Sequence, residues 1–238
     1  MIPSQVNRLR ALALALAAIA CAPAKSTKQG AETTAAVTRA DTSHVSAAAT
    51  PDSNITRADL ARIQGRPNAP VWVILVSDFQ CPYCKEWHDR VYTAFVNEFV
   101  TTGKARLAYI NFPLNSHVYA WPSAEAAMCA GAQGKFWQMH DALFATQQRW
   151  EVMPSPATLF DSLARASGVD DAKWRECVKS GKMKPLIQED HDRAAQAGAN
   201  ATPSFMIGDQ ILTGAQPIEK IRQAIELAAA KPAKPSTP

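Results

Sequence analysis

The sequence predicts an α/β protein: a small mixed β-sheet flanked by helices, with an all-helical subdomain inserted between its two halves. Three observations carry this. Two short apolar runs, 71–76 (VWVILV) and 106–112 (RLAYINF), bracket a stretch of helical spacing. Residues 118–198 then show helical patterns and no strand signal. Finally, two short apolar segments flank Gly208-Asp209 and lead into an amphipathic stretch.

In chain order, Thr56-Arg57-Ala58-Asp59 before Leu60, Ala61 and Ile63 reads as the capped start of a short helix. The turn cluster 65–70 (GRPNAP) ends it. The all-apolar, β-branched 71–76 run predicts a strand buried on both faces. Residues 82 to about 100 form a helix with Trp87, Val91, Phe95 and Val96 among its apolar positions, and Pro82 sits in the first turn, where its missing N–H costs nothing. Residues 106–112 give the second strand. Helical segments follow at 124–130, 136–146, 157–166, 171–180 and 184–197, the last stopped by Gly198. This block of about 80 residues exceeds an ordinary connection and is an insertion. Residues 203–207 and 210–212 form a hairpin around Gly208-Asp209. A last helix from Gln216-Pro217 carries Ile218, Ile221, Ile225 and Ala228 on one stripe. The order β-α-β, helices, β-β-α makes a mixed sheet covered on both faces.

Composition narrows the function. In 238 residues, 47% are hydrophobic and 19% charged, as expected of a packed globular protein. The net charge is +4, and removal of Arg8 and Arg10 with a leader leaves 23 basic residues against 21 acidic, so there is no electrostatic case for nucleic acid. Residues 1–21 read as a signal peptide: two arginines, the apolar decamer 11–20 (ALALALAAIA), then small residues. Ala22-Pro23-Ala24 fits a small-x-small cleavage site, and Ala18-Ile19-Ala20-Cys21 resembles a lipobox with alanine in place of the usual leucine, which makes Cys21 the candidate lipidation site. Residues 22–55, rich in Ala, Thr and Ser without aromatics, are expected to be a flexible tether; 56–230 the folded domain; 231–238 a disordered tail. The expected location is the cell envelope or periplasm, with the membrane touched only through a lipid anchor. Setting Cys21 aside leaves Cys81, Cys84, Cys129 and Cys177, an even number that an oxidising compartment can pair.

Cys81-Pro82-Tyr83-Cys84 lies directly after a strand and opens a helix. Cys81 there faces unpaired backbone N–H groups and the positive end of the helix dipole, which favour its thiolate. The thiolate is the attacking species in disulfide exchange. Cys84, one turn further on, is close enough to close a ring and is expected to be more buried and less reactive. Pro82 and Tyr83 set how well thiolate competes with disulfide. Half a zinc site and a purely structural bridge are the bland alternatives. Zinc needs further ligands, whereas Cys129 and Cys177 are isolated and no H-x₃₋₅-H pair exists. His88 falls one turn after Cys84 and reads as a surface or supporting residue. No metal and no cofactor is expected.

These residues resemble the DsbA-like thiol–disulfide oxidoreductases of bacteria, which have a thioredoxin fold. The likeness rests on 77–84 (SDFQCPYC) and 201–205 (ATPSF), with support from 129–137 (CAGAQGKFW) and 140–144 (HDALF), and it runs from about 65 to 230. It implies that Cys81 is the nucleophile, Cys84 the resolving cysteine, and Thr202-Pro203 the cis-proline loop packed beside the two sulfurs. Some members carry a second disulfide in the inserted block, and Cys129 with Cys177 looks similar, as a structural bridge. Asp78, three residues before the nucleophile, is either a proton acceptor for Cys84 or a solvated acid at the strand end.

His117, His140 and His191 read as surface or helix-end residues, and Trp121, Trp137, Trp150 and Trp174 as packing residues. The direction of electron flow stays open: a disulfide-donating oxidase is preferred, with a reductase, isomerase or sulfenic-acid repair protein as the alternative. Pro-Tyr between the cysteines and Thr before the proline fit both branches, while no dimerisation domain of the isomerase kind is present. A thiol-based metal carrier is the reading from another class; copper(I) favours such ligands, but no methionine cluster accompanies them. Expected partners are unfolded or thiol-containing exported proteins and a membrane redox partner of unknown identity.

Overall fold

The computed structural model describes residues 52–231. The leader, Cys21, nearly all of the tether and all but the first residue of the tail lie outside the described residues.

Helix α1 (Ser53–Ala61) starts inside the stretch read as tether. Its cap is Asp52, whose carboxylate accepts from the Asn54 N–H at 2.8 Å, and not Thr56, which lies within the helix and donates its hydroxyl back to the Asp52 carbonyl. Next comes β1 (Ile63–Gln64), two residues with no alternation to betray them. The sheet continues with β2 (Val71–Ser77), β3 (Ala105–Asn111), β4 (Ser204–Ile207) and β5 (Gln210–Thr213), in spatial order β1-β3-β2-β4-β5. β2 lies parallel to β3, with Val71 opposite Ala105 and Ser77 opposite Asn111, and antiparallel to β4. β1 pairs antiparallel with β3, and β5 closes the hairpin on β4.

Central β2 is not buried on both faces throughout. Val71, Val73 and Leu75 point into the core, but Trp72 is 41% exposed and Ile74 half-buried. The Arg106 guanidinium stacks 4.1 Å from the Trp72 ring centroid on that half-open face.

After β2 the chain runs as one helical rod: α2 (Pro82–Trp87), a π turn (His88–Tyr92), α3 (Thr93–Phe95) and a second π turn (Val96–Val100). Between β3 and β4 lie α4 (Ala120–Gly131), α5 (Phe136–Ala145), α6 (Gln147–Trp150), α7 (Ala157–Ala166), α8 (Asp171–Ser180) and α9 (Lys184–Gln196). α10 (Ile218–Ala229) follows the hairpin and buries Ile221 and Ile225.

The insertion and the sheet share one core. Phe79 stacks on Tyr109 at 5.1 Å and meets Phe136 and Phe144 of α5. Trp150 and Trp174 are buried with their indole N–H groups donating to Leu143 and Ala126 carbonyls, and Trp121 and Trp137 pack partly buried. A buried ion pair joins Arg62, just after α1, to Asp190 of α9, whose carboxylate also accepts both the backbone and side-chain N–H of Asn111. This pair fastens the insertion to the strand that precedes it.

Candidate active site

Asp78 follows β2, and the chain turns once before α2: the Cys81 N–H donates to the Asp78 carbonyl at 3.1 Å. Cys81 is the N-cap of α2 in an extended conformation, and Pro82 fills the first helical position. That geometry aims the sulfur at the free N–H groups of the first turn. Opposite stands Thr202-Pro203, a cis peptide. The Cys81 thiol donates to the Thr202 carbonyl at 3.3 Å.

Cys81 and Cys84 are free thiols, 3% and 2% exposed. The expected difference in accessibility is therefore negligible; their surroundings differ instead. The Cys84 thiol, the Thr202 side chain and the backbone N–H groups of Cys84 and Tyr83 outweigh burial and lower the Cys81 pKa to about 6. Burial, reinforced by the neighbouring Cys81, pushes Cys84 well above its ordinary value. One sulfur of the pair is thus set up to carry the charge and the other to keep its proton. Pro82 is exposed and Tyr83 is 62% exposed, so the two residues between the cysteines form the outer rim.

Asp78 is 2% exposed, which removes the solvated-acid reading. Its Oδ1 accepts from the Gln80 N–H (2.8 Å), and its Oδ2 accepts from the Leu114 N–H (3.0 Å) and lies 2.7 Å from His117 Nδ1. The hydrogen bond to Asp78 raises the His117 pKa. His117 is accordingly a half-buried partner of the strand-end acid and not a plain surface residue. His140 is also corrected: it is 1% exposed, enclosed by Phe79, Tyr109 and Phe144. His191 stacks on Phe112 at 4.4 Å.

Sequence reasoning missed Gln147 and Gln80. The buried Gln147 amide donates to the carbonyls of Phe79 (2.7 Å) and Cys81 (3.0 Å), and Gln80 Oε1 accepts from the Tyr119 N–H at 2.6 Å. Both clamp the cysteine loop to the insertion. No local signal marks them, because their partners are backbone groups distant in the chain. Away from this centre, Cys129 of α4 and Cys177 of α8 are joined by a disulfide.

A central β2, a C-x-x-C at the start of the following helix, a cis-proline facing it and a helical insertion before the hairpin define the DsbA-like class of thioredoxin-fold proteins. The thioredoxin family model matches residues 57–227, so the chain belongs to that family. It is 34% identical over 168 residues to a Na(+)/H(+) antiporter NhaA 1 of Salinispora arenicola, a match covering 70% of this chain and only 24% of the antiporter. No described helix is long and apolar enough to cross a membrane. It is 22% identical over 171 residues to disulfide bond formation protein D of Bacillus subtilis, covering 69% of this chain and 75% of that protein. The crystal structure of BdbD from Bacillus subtilis superimposes with a TM-score of 0.66 at 20% identity, over 71% of this chain and 93% of that one, a likeness of fold.

Proposed function

We propose that this chain is a thiol–disulfide oxidoreductase that donates the Cys81–Cys84 disulfide to exported proteins carrying free thiols. The observation that carries this is the unequal pair: Cys81 held to a pKa of about 6 beside a Cys84 whose proton is retained. A substrate thiolate attacks Cys81 Sγ, and the electron pair of the broken S–S bond leaves on Cys84, which takes up a proton. A second substrate thiolate then attacks the substrate sulfur of the mixed disulfide and expels the Cys81 thiolate, a good leaving group. The substrate is oxidised by two electrons and the dithiol is formed. A stabilised thiolate favours the reduced enzyme, which makes its disulfide oxidising.

In this reading Cys81 is the nucleophile, Cys84 the resolving cysteine, Thr202-Pro203 the shelf for the incoming peptide, and Pro82 and Tyr83 the tuning pair. Asp78 serves as proton acceptor for Cys84 when the dithiol is reoxidised and the Cys84 thiol must become a thiolate to attack the mixed disulfide at Cys81, while Cys129–Cys177 is structural. Exposed Tyr83, Val118 and Val152 offer apolar contact to an unfolded chain; residues 117–119 and 152–154 are tied together through the Tyr119 hydroxyl, which donates to the Met153 carbonyl at 2.6 Å. Export, lipid attachment at Cys21 and reoxidation by a membrane partner belong to the same proposal, and mass spectrometry of the mature N-terminus tests the attachment.

The deciding experiment is equilibration of the dithiol with a glutathione buffer. A midpoint more positive than about −220 mV is expected of a disulfide donor; a more negative one assigns the chain to the reductase or repair role instead.

A further inference from the structure

The rod that begins at Cys81 carries His88 at the junction of α2 with its first π turn. Across from it, α5 of the insertion presents His140 and Asp141. Asp141 Oδ1 lies 2.7 Å from His140 Nδ1 and 3.2 Å from His88 Nε2. One nitrogen from each ring and one carboxylate oxygen fall within 4.8 Å of one another. Bonds of about 2.0–2.1 Å to a tetrahedral ion place ligand atoms about 3.3 Å apart, so small shifts admit an ion among these three.

The surroundings fit the same purpose. The other nitrogen of His88 lies 3.1 Å from Asp89 Oδ1, and Asp89 Oδ2 is held by Lys85 Nζ at 2.8 Å. A carboxylate on the far side of the imidazole is the orienting partner that metal-bound histidines almost always have. Phe144 and Tyr92 wall the cluster, with ring centroids 5.0–5.4 Å from those of His88 and His140. The Asp141 side chain is 54% exposed, which leaves an entry path and an open coordination position.

We propose that His88, His140 and Asp141 form a site for one divalent transition-metal ion of the zinc type, bridging the active-site helix to the inserted helices. Two imidazoles and one carboxylate suit zinc, cobalt or nickel and exclude a preference for magnesium or calcium. The site uses neither Cys81 nor Cys84 and is independent of the direction of their redox chemistry. Because the ion binds the two elements only when they are packed together, it favours the folded chain.

The test uses the full chain with Cys81 and Cys84 oxidised to a disulfide, titrated with Co²⁺ by visible absorption and then with Zn²⁺ by competition. Saturation at one equivalent is expected, with nitrogen–oxygen ligand-field bands and no sulfur charge-transfer band. His88→Gln and Asp141→Asn should each weaken binding at least about 10-fold, and Asp89→Asn by about 10-fold, with His191→Gln unchanged. The half-exposed Asp141 accepts an isosteric amide without unfolding, so loss of binding there reports the ligand. Absence of a one-equivalent site, a sulfur charge-transfer band, or equal affinity in both His88→Gln and Asp141→Asn overturns the proposal and leaves an ion-free hydrogen-bonded staple.

Discussion

Cys81 Sγ lies 3.3 Å from the carbonyl oxygen of Thr202, across the cis bond to Pro203. The sulfur thus sits between a helix start that stabilises its charge and the backbone of the cis-proline loop. Cys81→Ser should abolish disulfide exchange with a reduced, unfolded protein substrate. Cys84→Ser, offered a disulfide-containing protein, should attack that disulfide through the Cys81 thiolate, release the other substrate sulfur as a thiol and accumulate the mixed disulfide on a non-reducing gel, because no resolving thiol follows. Full activity of Cys81→Ser is the result that removes its assignment as nucleophile.

Alkylation of the reduced protein by iodoacetamide should rise through a midpoint near pH 6 and level off above it, because Cys81 reacts as thiolate. Cys84→Ala, which removes the thiol that contributes most to holding that charge, should move the midpoint upward. The sign for stability follows from the lowered value. An acid whose folded pKa is depressed from 9.0 to about 6 adds stability to the reduced form that is fully present above pH 9 and lost as pH falls through about 6. Between pH 6 and 8 the reduced form should gain about 2 kcal/mol relative to the oxidised form. Denaturant unfolding of both forms at the two pH values measures this; a pH-independent difference refutes a stabilised thiolate.

His117→Gln should destabilise the protein in a pH-dependent way. Asp78 raises the His117 pKa, so the protonated imidazole contributes stability below its ordinary value of 6.5, and that contribution disappears as pH rises through the raised value. A charge-assisted hydrogen bond of this kind is worth about 1–2 kcal/mol. The expected loss is therefore larger at pH 5.5 than at pH 9, as read by urea midpoints. If His117 is also needed to position Asp78, the variant should slow resolution by Cys84 more than the first attack on Cys81.

Replacing Cys129 and Cys177 together by Ser or Ala opens a loop of sequence separation 48. Chain entropy assigns such a closure about 4 kcal/mol. A large drop in thermal midpoint with an unchanged redox midpoint for Cys81–Cys84 is expected. A shifted potential at constant stability is the outcome that assigns this pair a redox role.

Much of the molecule was legible before folding was considered. Strands 71–77 and 105–111, the helix from Pro82, the hairpin at Gly208-Asp209 and the amphipathic last helix all announce themselves through periodicity and turn residues within a few positions. So does the placement of Cys81 at a helix start, since strand, cysteine and proline are contiguous. Strand β1 was invisible because two residues carry no period, and Asp52 was missed as a cap because a polar, alanine-rich stretch precedes it.

What the linear order determined by itself is the backbone frame and the placing of the Cys81 and Cys84 sulfurs together at a helix start, because both depend on residues adjacent in the chain. What only the tertiary structure decided is the company those sulfurs keep. The inserted helices bring Gln147 onto the Cys81 carbonyl, His140 and Asp141 onto His88, and Asp190 onto Arg62, while the loop before them carries His117 onto Asp78. Local periodicity says which face of each element is apolar. It does not say which polar groups meet once those faces are buried together, and that meeting sets the charge, burial and orientation of every titratable group around the site.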